Sequence, residues 1–257
     1  MSNLEFSEPL EIIYHDEYMV AINKPAGLLV HKSYLARKET YFAMTMLRDQ
    51  LGQYVYPIHR LDRPTSGVLL FALSSEVARL LSEQFSERSV EKGYLAMVRG
   101  YLLGNDTLDY PLKEELDKIA DKDAQQDKEA QEAVTRWYHL LSGEYDAPIG
   151  KYDKARFSLV ALKPLTGRKH QLRRHLSHLR HPIMGDTTHG DGKQNKYFKT
   201  HLGEQRLMLH AAQLRFNHPV SGEGIELLAP IPESFTNICD AVGWNDIPTS
   251  PLAYFEE

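Results

Sequence analysis

His59-Arg60-Leu61-Asp62-Arg63-Pro64-Thr65-Ser66-Gly67, running into Val68-Leu69-Leu70-Phe71-Ala72, decides how the rest of this chain is read. One carboxylate stands between two guanidiniums, in a segment that Pro64 and Gly67 break out of regular structure. The apolar residues that follow read as a buried strand. A charged loop at the mouth of a rigid strand is a common way to build an active site, because the strand fixes where the loop points. The plain alternative is a surface salt bridge, with Asp62 capping a turn.

The frame around this stretch is that of a soluble globular protein. Of 257 residues, 42% are hydrophobic and 25% charged, which suits one large domain over 1–257. A single cysteine, Cys239, excludes an intrachain disulfide or a cysteine metal cluster and fits the cytoplasm. No secretion signal is seen at the N-terminus, and no apolar run approaches the roughly 18 residues of a membrane span. A net charge of −5 argues against a nucleic-acid binder until its distribution is read. Lys163–His181 holds six Lys/Arg, four His and no acid, whereas Lys113–Glu132 holds eight acids against four bases. One face can therefore be positive on a negative chain, and salt screening over about 10 Å makes phosphate attraction a local matter.

Around the first stretch, Leu10–Tyr14 and Tyr18–Ile22 read as strands about the turn His15-Asp16-Glu17. Lys24-Pro25-Ala26-Gly27 reads as a turn before the apolar step Leu28–His31. Thr40–Gly52 has helical spacing with Met44, Leu47 and Leu51 on one face and Gly52 as its stop. Ser74-Ser75 caps a second helix, whose stripe is Val77, Leu80, Leu81 and Phe85. Lys92–Gly100 alternates as a strand with Tyr94, Ala96 and Val98 on one face. Asp106–Val134 reads as an exposed, charged excursion with a short helix. Thr135–Leu141 and Arg156–Leu162 read as strands, separated by a loop over Ser142–Asp153.

The second informative stretch is Lys163-Pro164-Leu165-Thr166-Gly167-Arg168-Lys169-His170-Gln171-Leu172-Arg173-Arg174-His175-Leu176. Leu172, Leu176 and Leu179 fall one helical turn apart, in a helix that starts near Thr166-Gly167 and ends at Pro182. The flanking bases form either a solvated helix face or a phosphate-binding surface that also delivers an arginine to Asp62; a guanidinium suits both carboxylate and phosphate. His175, His178 and His181 are spaced by three, but no acid or cysteine completes a metal set at usable spacing, so no metal site is expected. Arg206–Ala211 reads as a further strand. The tail from Trp244 carries no strong signal.

Four segments together resemble the RluA-type pseudouridine synthases: Asn23–His31, the His59–Ala72 stretch, Lys92–Gly100 and Thr166–Asp186. Arg206–Ala211 resembles the last motif of that family. The resemblance runs from Lys24 to about Pro219. It implies an α+β fold with a central mixed, mostly antiparallel sheet, helices and loops outside, and a cleft across its middle. It implies that Asp62 is catalytic, that Tyr94 packs on the target base, and that Arg173 pairs with Asp62, although Arg168 and Arg174 offer similar chemistry. Leu61, Leu172 and Leu209 are the expected lining of a uracil pocket. His59, Arg60, Arg63, Lys92, Arg168, Lys169, His170, Gln171 and Arg174 are the expected RNA contacts. Within the family the chain is similar to members that isomerise uridine 65 of certain tRNAs. The first strand begins near residue 10, so no separate RNA-binding domain is expected ahead of the catalytic one, and a monomer is expected.

Isomerisation of uridine to pseudouridine involves no net redox change or hydrolysis, so no cofactor is expected. Three rivals stay open. A ribosomal RNA substrate would use the same residues. A glycoside hydrolase would need a second acid across the bond, which no motif supplies. A non-catalytic RNA-binding module would have no use for a carboxylate near phosphates.

Overall fold

The order of the strands fixes where the Asp62 loop lies. In the computed structural model, which describes residues 6, 8–32, 39–115, 129–146, 148, 153–203 and 206–256, ten strands form one sheet. They are β1 (Ile12–His15), β2 (Met19–Lys24), β3 (Tyr56–Pro57), β4 (Ser66–Ala72), β5 (Glu91–Arg99), β6 (Asn105–Asp109), β7 (Val134–Tyr145), β8 (Ala155–Pro164), β9 (Leu209–Asn217) and β10 (Gly224–Leu228). The spatial order is β1-β2-β4-β9-β5-β8-β7-β6, with β3 on β4 and β10 on β9. The β4–β9 pair is parallel and the others are antiparallel. The sheet is therefore mixed and mostly antiparallel, as expected.

The parallel pair is short: only Ser66↔His210 and Gly67↔Ala211 are in register. Gly67 makes even that contact feasible. Its φ is +117° and a Cβ there would lie 2.1 Å from the Ala211 carbonyl oxygen. Only glycine lets the two backbones come so close in that conformation.

Helices cover both faces. α1 (Ala43–Leu51) buries Ala43 and Leu47 in a cluster with Val20, Ile22, Leu69 and Phe71. It ends at Gly52 in the left-handed conformation. α2 (Ser75–Ser86) is capped by Ser74, whose hydroxyl accepts from Val77 N–H. It packs Val77 and Leu81 with Val68, Leu70 and Ala72. β4 is thus buried along its whole length, which is why it reads as an unbroken apolar run. The largest cluster lies on β5, β8 and β9 and takes in Leu172 and Leu176 of α3 (Gln171–His178), Phe198 of α4 (Gly192–Leu202) and Phe235 and Ile238 of α5 (Glu233–Ala241). Among the described residues no helix is long and apolar enough to cross a membrane.

Several expectations are corrected. The charged excursion begins as a strand, β6, paired along β7; its acids Asp106 and Asp109 are tolerated at an exposed sheet edge. The short helix expected there lies outside the described residues. β7 continues through the expected loop to Tyr145, because Gly143 leaves room for the Trp244 indole, whose Nε1 donates to Ser142 O at 3.1 Å. α3 starts at Gln171 rather than at Thr166-Gly167, because the Gln171 side chain folds back to accept from Thr166 Oγ1 and Arg168 N and closes a turn there. β9 starts at Leu209, later than the expected Arg206. The C-terminal tail is structural: Leu252 and Phe255 of the 3₁₀ turn Pro251–Phe255 are buried, with Leu252 N donating to the Gln213 side chain.

Candidate active site

Asp62 lies on the loop that feeds β4. Its carbonyl closes a turn by accepting from Thr65 N at 3.0 Å, and Leu61 beside it is buried. A second loop is stitched to it. Lys24, fully buried at the end of β2, donates to Pro25 O, Leu28 O and Arg63 O at 2.8–3.2 Å. Gly27 N reaches Arg63 O at 2.8 Å, and Arg63 Nε reaches Gly27 O at 2.9 Å. Burial pushes the Lys24 amine down to about 7, against the pull of the Asp62 charge. Three carbonyl acceptors fit an ammonium with three N–H donors, so the geometry selects the charged form.

Helix α3 presents Arg173 from the other side. Arg173 is almost fully buried and its guanidinium divides its donors between two carboxylates. Nε and Nη2 fork onto the two oxygens of buried Asp186 at 2.7 and 2.8 Å, and Nη1 reaches Asp62 Oδ2 at 3.1 Å. Asp186 Oδ1 also accepts from Thr188 N and His189 N at 2.9 and 3.0 Å. Burial works to raise the Asp186 carboxyl, but the Arg173 hydrogen bond and these amides outweigh it and hold it low. Arg173 is kept charged by Asp186 and Asp62 despite its own burial.

Tyr94 completes the group from β5. The pairing of β5 with β9 slips between Gly93 and Leu95, a bulge of the kind that re-aims a side chain. Burial, and then the charge of Asp62, push the Tyr94 phenol up, so it stays neutral. His170 sits at the N-terminal end of α3 with Nε2 3.8 Å from Asp62 Oδ2. Asp62 thus faces both Arg173 and His170 while still about a quarter exposed, and Tyr94 lies near enough to feel its charge. Leu61, Leu172 and Leu209 are buried, the latter two in the largest cluster.

The expected RNA contacts divide into two sets. Arg60 is exposed, and Arg63 is exposed beside Glu39 at 2.9 Å. Arg168, Lys169 and Arg174 lie along the start of α3 and already hold backbone carbonyls, those of Glu132, Glu115 and Lys113. His59 and Gln171 serve the fold instead. His59 Nε2 accepts from Leu70 N and its ring stacks on Phe85 at 5.0 Å; burial pushes it down to about 3. Gln171 donates to Val134 O and Thr135 Oγ1 and is buried. Lys92 is half-buried beside Arg88.

The histidines spaced by three do not converge. His175 bonds Thr135 and Tyr110 O, His178 stacks on Tyr110, and His181 bonds Arg99 O. Sequence reasoning missed Lys24 and Asp186 as site residues, although both lie inside quoted motifs; the signal was a charged residue placed between turn residues. It also missed Glu115 and His189, which nothing local marks.

Comparison with known proteins settles the family. A model of the RNA pseudouridylate synthase family matches residues 18–178. The chain belongs to that family. It is a pseudouridine synthase, and curated relatives are close to it: tRNA pseudouridine synthase C of Yersinia pestis is 58% identical, covering 93% of both chains. The protein of the same name from Pasteurella multocida is 58% identical over 92% of this chain and 97% of its own. Among solved structures, human RNA Pseudouridylate Synthase Domain Containing 1 superposes with a TM-score of 0.67 at 29% identity, covering 87% of this chain and 84% of that one. Human RNA Pseudouridylate Synthase Domain Containing 4 gives 0.67 at 27% identity, over 90% and 92%.

Proposed function

We propose that this pseudouridine synthase acts on tRNA, at uridine 65, as a cytoplasmic monomer, with Asp62 as its catalytic residue. The observation that carries the assignment of Asp62 is the divided guanidinium of Arg173, anchored on Asp186 and extended to Asp62. A carboxylate so partnered is held in place by one oxygen, Oδ2, and leaves Oδ1 for the substrate. The tRNA reading is supported by the names of the bacterial relatives.

The reaction breaks the bond from ribose C1′ to uracil N1, turns the base, and joins C1′ to uracil C5; the C5 proton then leaves to solvent. Asp62 either attacks C1′ as a nucleophile or removes the 2′ proton so that a glycal forms. The base must first leave its stack. Arg60, exposed next to Asp62, braces the vacated space. Arg63, Arg168, Lys169 and Arg174 take phosphates, which requires the last three to exchange their carbonyl partners for RNA. Tyr94 stacks on the uracil, and the buried leucines wall the pocket.

The test is a tRNA transcript tritiated at uracil C5. Wild type should release tritium to water and place pseudouridine at position 65, while Asp62→Asn should release none. Wild-type turnover by Asp62→Asn would end the mechanism, and release at another position would correct the substrate alone.

A further inference from the structure

Among the described residues, and outside the Asp62–Arg173 pair, a group of ligand-type atoms gathers on the far side of His170. His170 Nδ1 and His189 Nε2 face each other at 2.9 Å. Glu115 Oε2 lies 3.3 Å from the first and 3.8 Å from the second. The three residues come from distant parts of the chain: the segment after β6, the cap of α3 and the loop before α4.

We propose that Glu115, His170 and His189 form a site for one divalent transition-metal ion of the zinc class, which clips the Lys113–Glu115 segment onto the catalytic helix. An ion about 2.0–2.1 Å from each donor requires donors within about 4 Å of one another, and roughly 3.3–3.5 Å for tetrahedral angles. The observed separations bracket that spacing, so the two rings need part by only about half an ångström to admit the ion. Two imidazoles and one carboxylate, with a fourth position left for water, make a recurrent zinc set.

The competing description is a hydrogen-bonded histidine pair beside a surface carboxylate. Four features favour the ion. The other oxygen of Glu115 faces Arg174 Nε at 3.4 Å, which turns Oε2 toward the rings. His170 points its second nitrogen at the Asp62 carboxylate, the orientation of a carboxylate behind a metal-bound imidazole. His189 is fixed through its main chain, with N on Asp186 Oδ1 and O accepting from Ser177 Oγ at 2.8 Å. His170 holds a left-handed backbone, φ 54°, ψ 24°, costly for a non-glycine residue and typical of a side chain aimed for use.

Charge permits a cation. Three carboxylates, Asp62, Asp186 and Glu115, face the guanidiniums of Arg173 and Arg174, while the ammonium of Lys169, on Glu115 O, is exposed. Partial exposure of Glu115 leaves the site open for loading.

The test titrates the full, chelator-stripped chain with Zn²⁺ by calorimetry and measures protein-bound zinc after desalting. One ion per chain is expected. His189→Ala and Glu115→Gln should each weaken binding about tenfold or more, while His201→Ala, on the far end of α4, should leave it unchanged. Equal binding by wild type and both site variants marks adventitious surface zinc and overturns the proposal, as does no binding by wild type. Circular dichroism reports whether His189→Ala folds; if it does not, Glu115→Gln, altered on a partly exposed segment, decides alone.

Discussion

Replacing Asp186 by asparagine tests whether Arg173 is positioned for Asp62 or merely near it. The change keeps the shape of the side chain. An amide oxygen at the Oδ1 position still accepts from Arg173 Nη2, Thr188 N and His189 N. The Oδ2 position becomes an NH₂ that meets Arg173 Nε–H, donor against donor, where a 2.7 Å charge-assisted bond stood. Both side chains are almost fully buried, so solvent cannot replace the lost partner. One charge-assisted bond accounts for about 1.5–3 kcal/mol, and a buried guanidinium left with one of its two counter-charges brings the stability loss to about 3 kcal/mol. The guanidinium then swings toward its remaining partner, Asp62. A shift of that kind costs about 2 kcal/mol of transition-state stabilisation, roughly thirtyfold in kcat. Tritium release under saturating tRNA and urea unfolding of the same preparation give both numbers. Wild-type kcat together with wild-type stability would refute the reasoning. Lost stability with intact kcat would confine Asp186 to the fold and free Arg173 from any need of positioning.

Two further outcomes follow from the same geometry. Gly67→Ala should leave little soluble folded protein, because its Cβ would sit on the Ala211 carbonyl, whereas Gly192→Ala, which meets open space, should fold normally; a folded, active Gly67→Ala enzyme would undo the account of the parallel pair. Acid should destabilise the chain through His210, which burial pushes down to about 4 between Ser66 Oγ and Ala229 O. Because the unfolded imidazole binds its proton first, this stability is complete above about pH 6.5 and is lost as pH falls toward 4, by about 3 kcal/mol in all. A midpoint that does not fall between pH 7 and 5, or a His210→Gln variant with the same slope, would contradict it.

The parts of the site that were legible in sequence are those whose chemistry and neighbours are local. Asp62 between two arginines and the Arg-rich start of α3 both stood out in the sequence, because charged residues among turn residues and an apolar stripe are local signals, and the structure brings the two stretches into contact through Arg173. β4 and α2 read well for the same reason: an uninterrupted apolar run and a serine cap are short-range signals. Glu115 was hidden because the histidines it faces lie far along the sequence, whereas Lys24 and Asp186 have near partners in Pro25, Leu28, Thr188 and Arg173 and were hidden because spacing does not reveal that they are buried. His59 and Gln171 misled in the opposite direction. Both are polar residues inside a motif, yet they hold backbone groups of Leu70 and Val134, a demand that spacing does not reveal. The extension of β7 past Gly143 depended on Trp244, about a hundred residues on.

The two-residue β4–β9 seam has a mechanical consequence. Among the described residues it is the only strand pairing that joins the Asp62 side of the sheet to the side carrying α3. Asp62 and Arg173 therefore belong to opposite sides of that seam, and their ion pair at 3.1 Å spans a junction that backbone pairing bridges at two registered positions, Ser66↔His210 and Gly67↔Ala211.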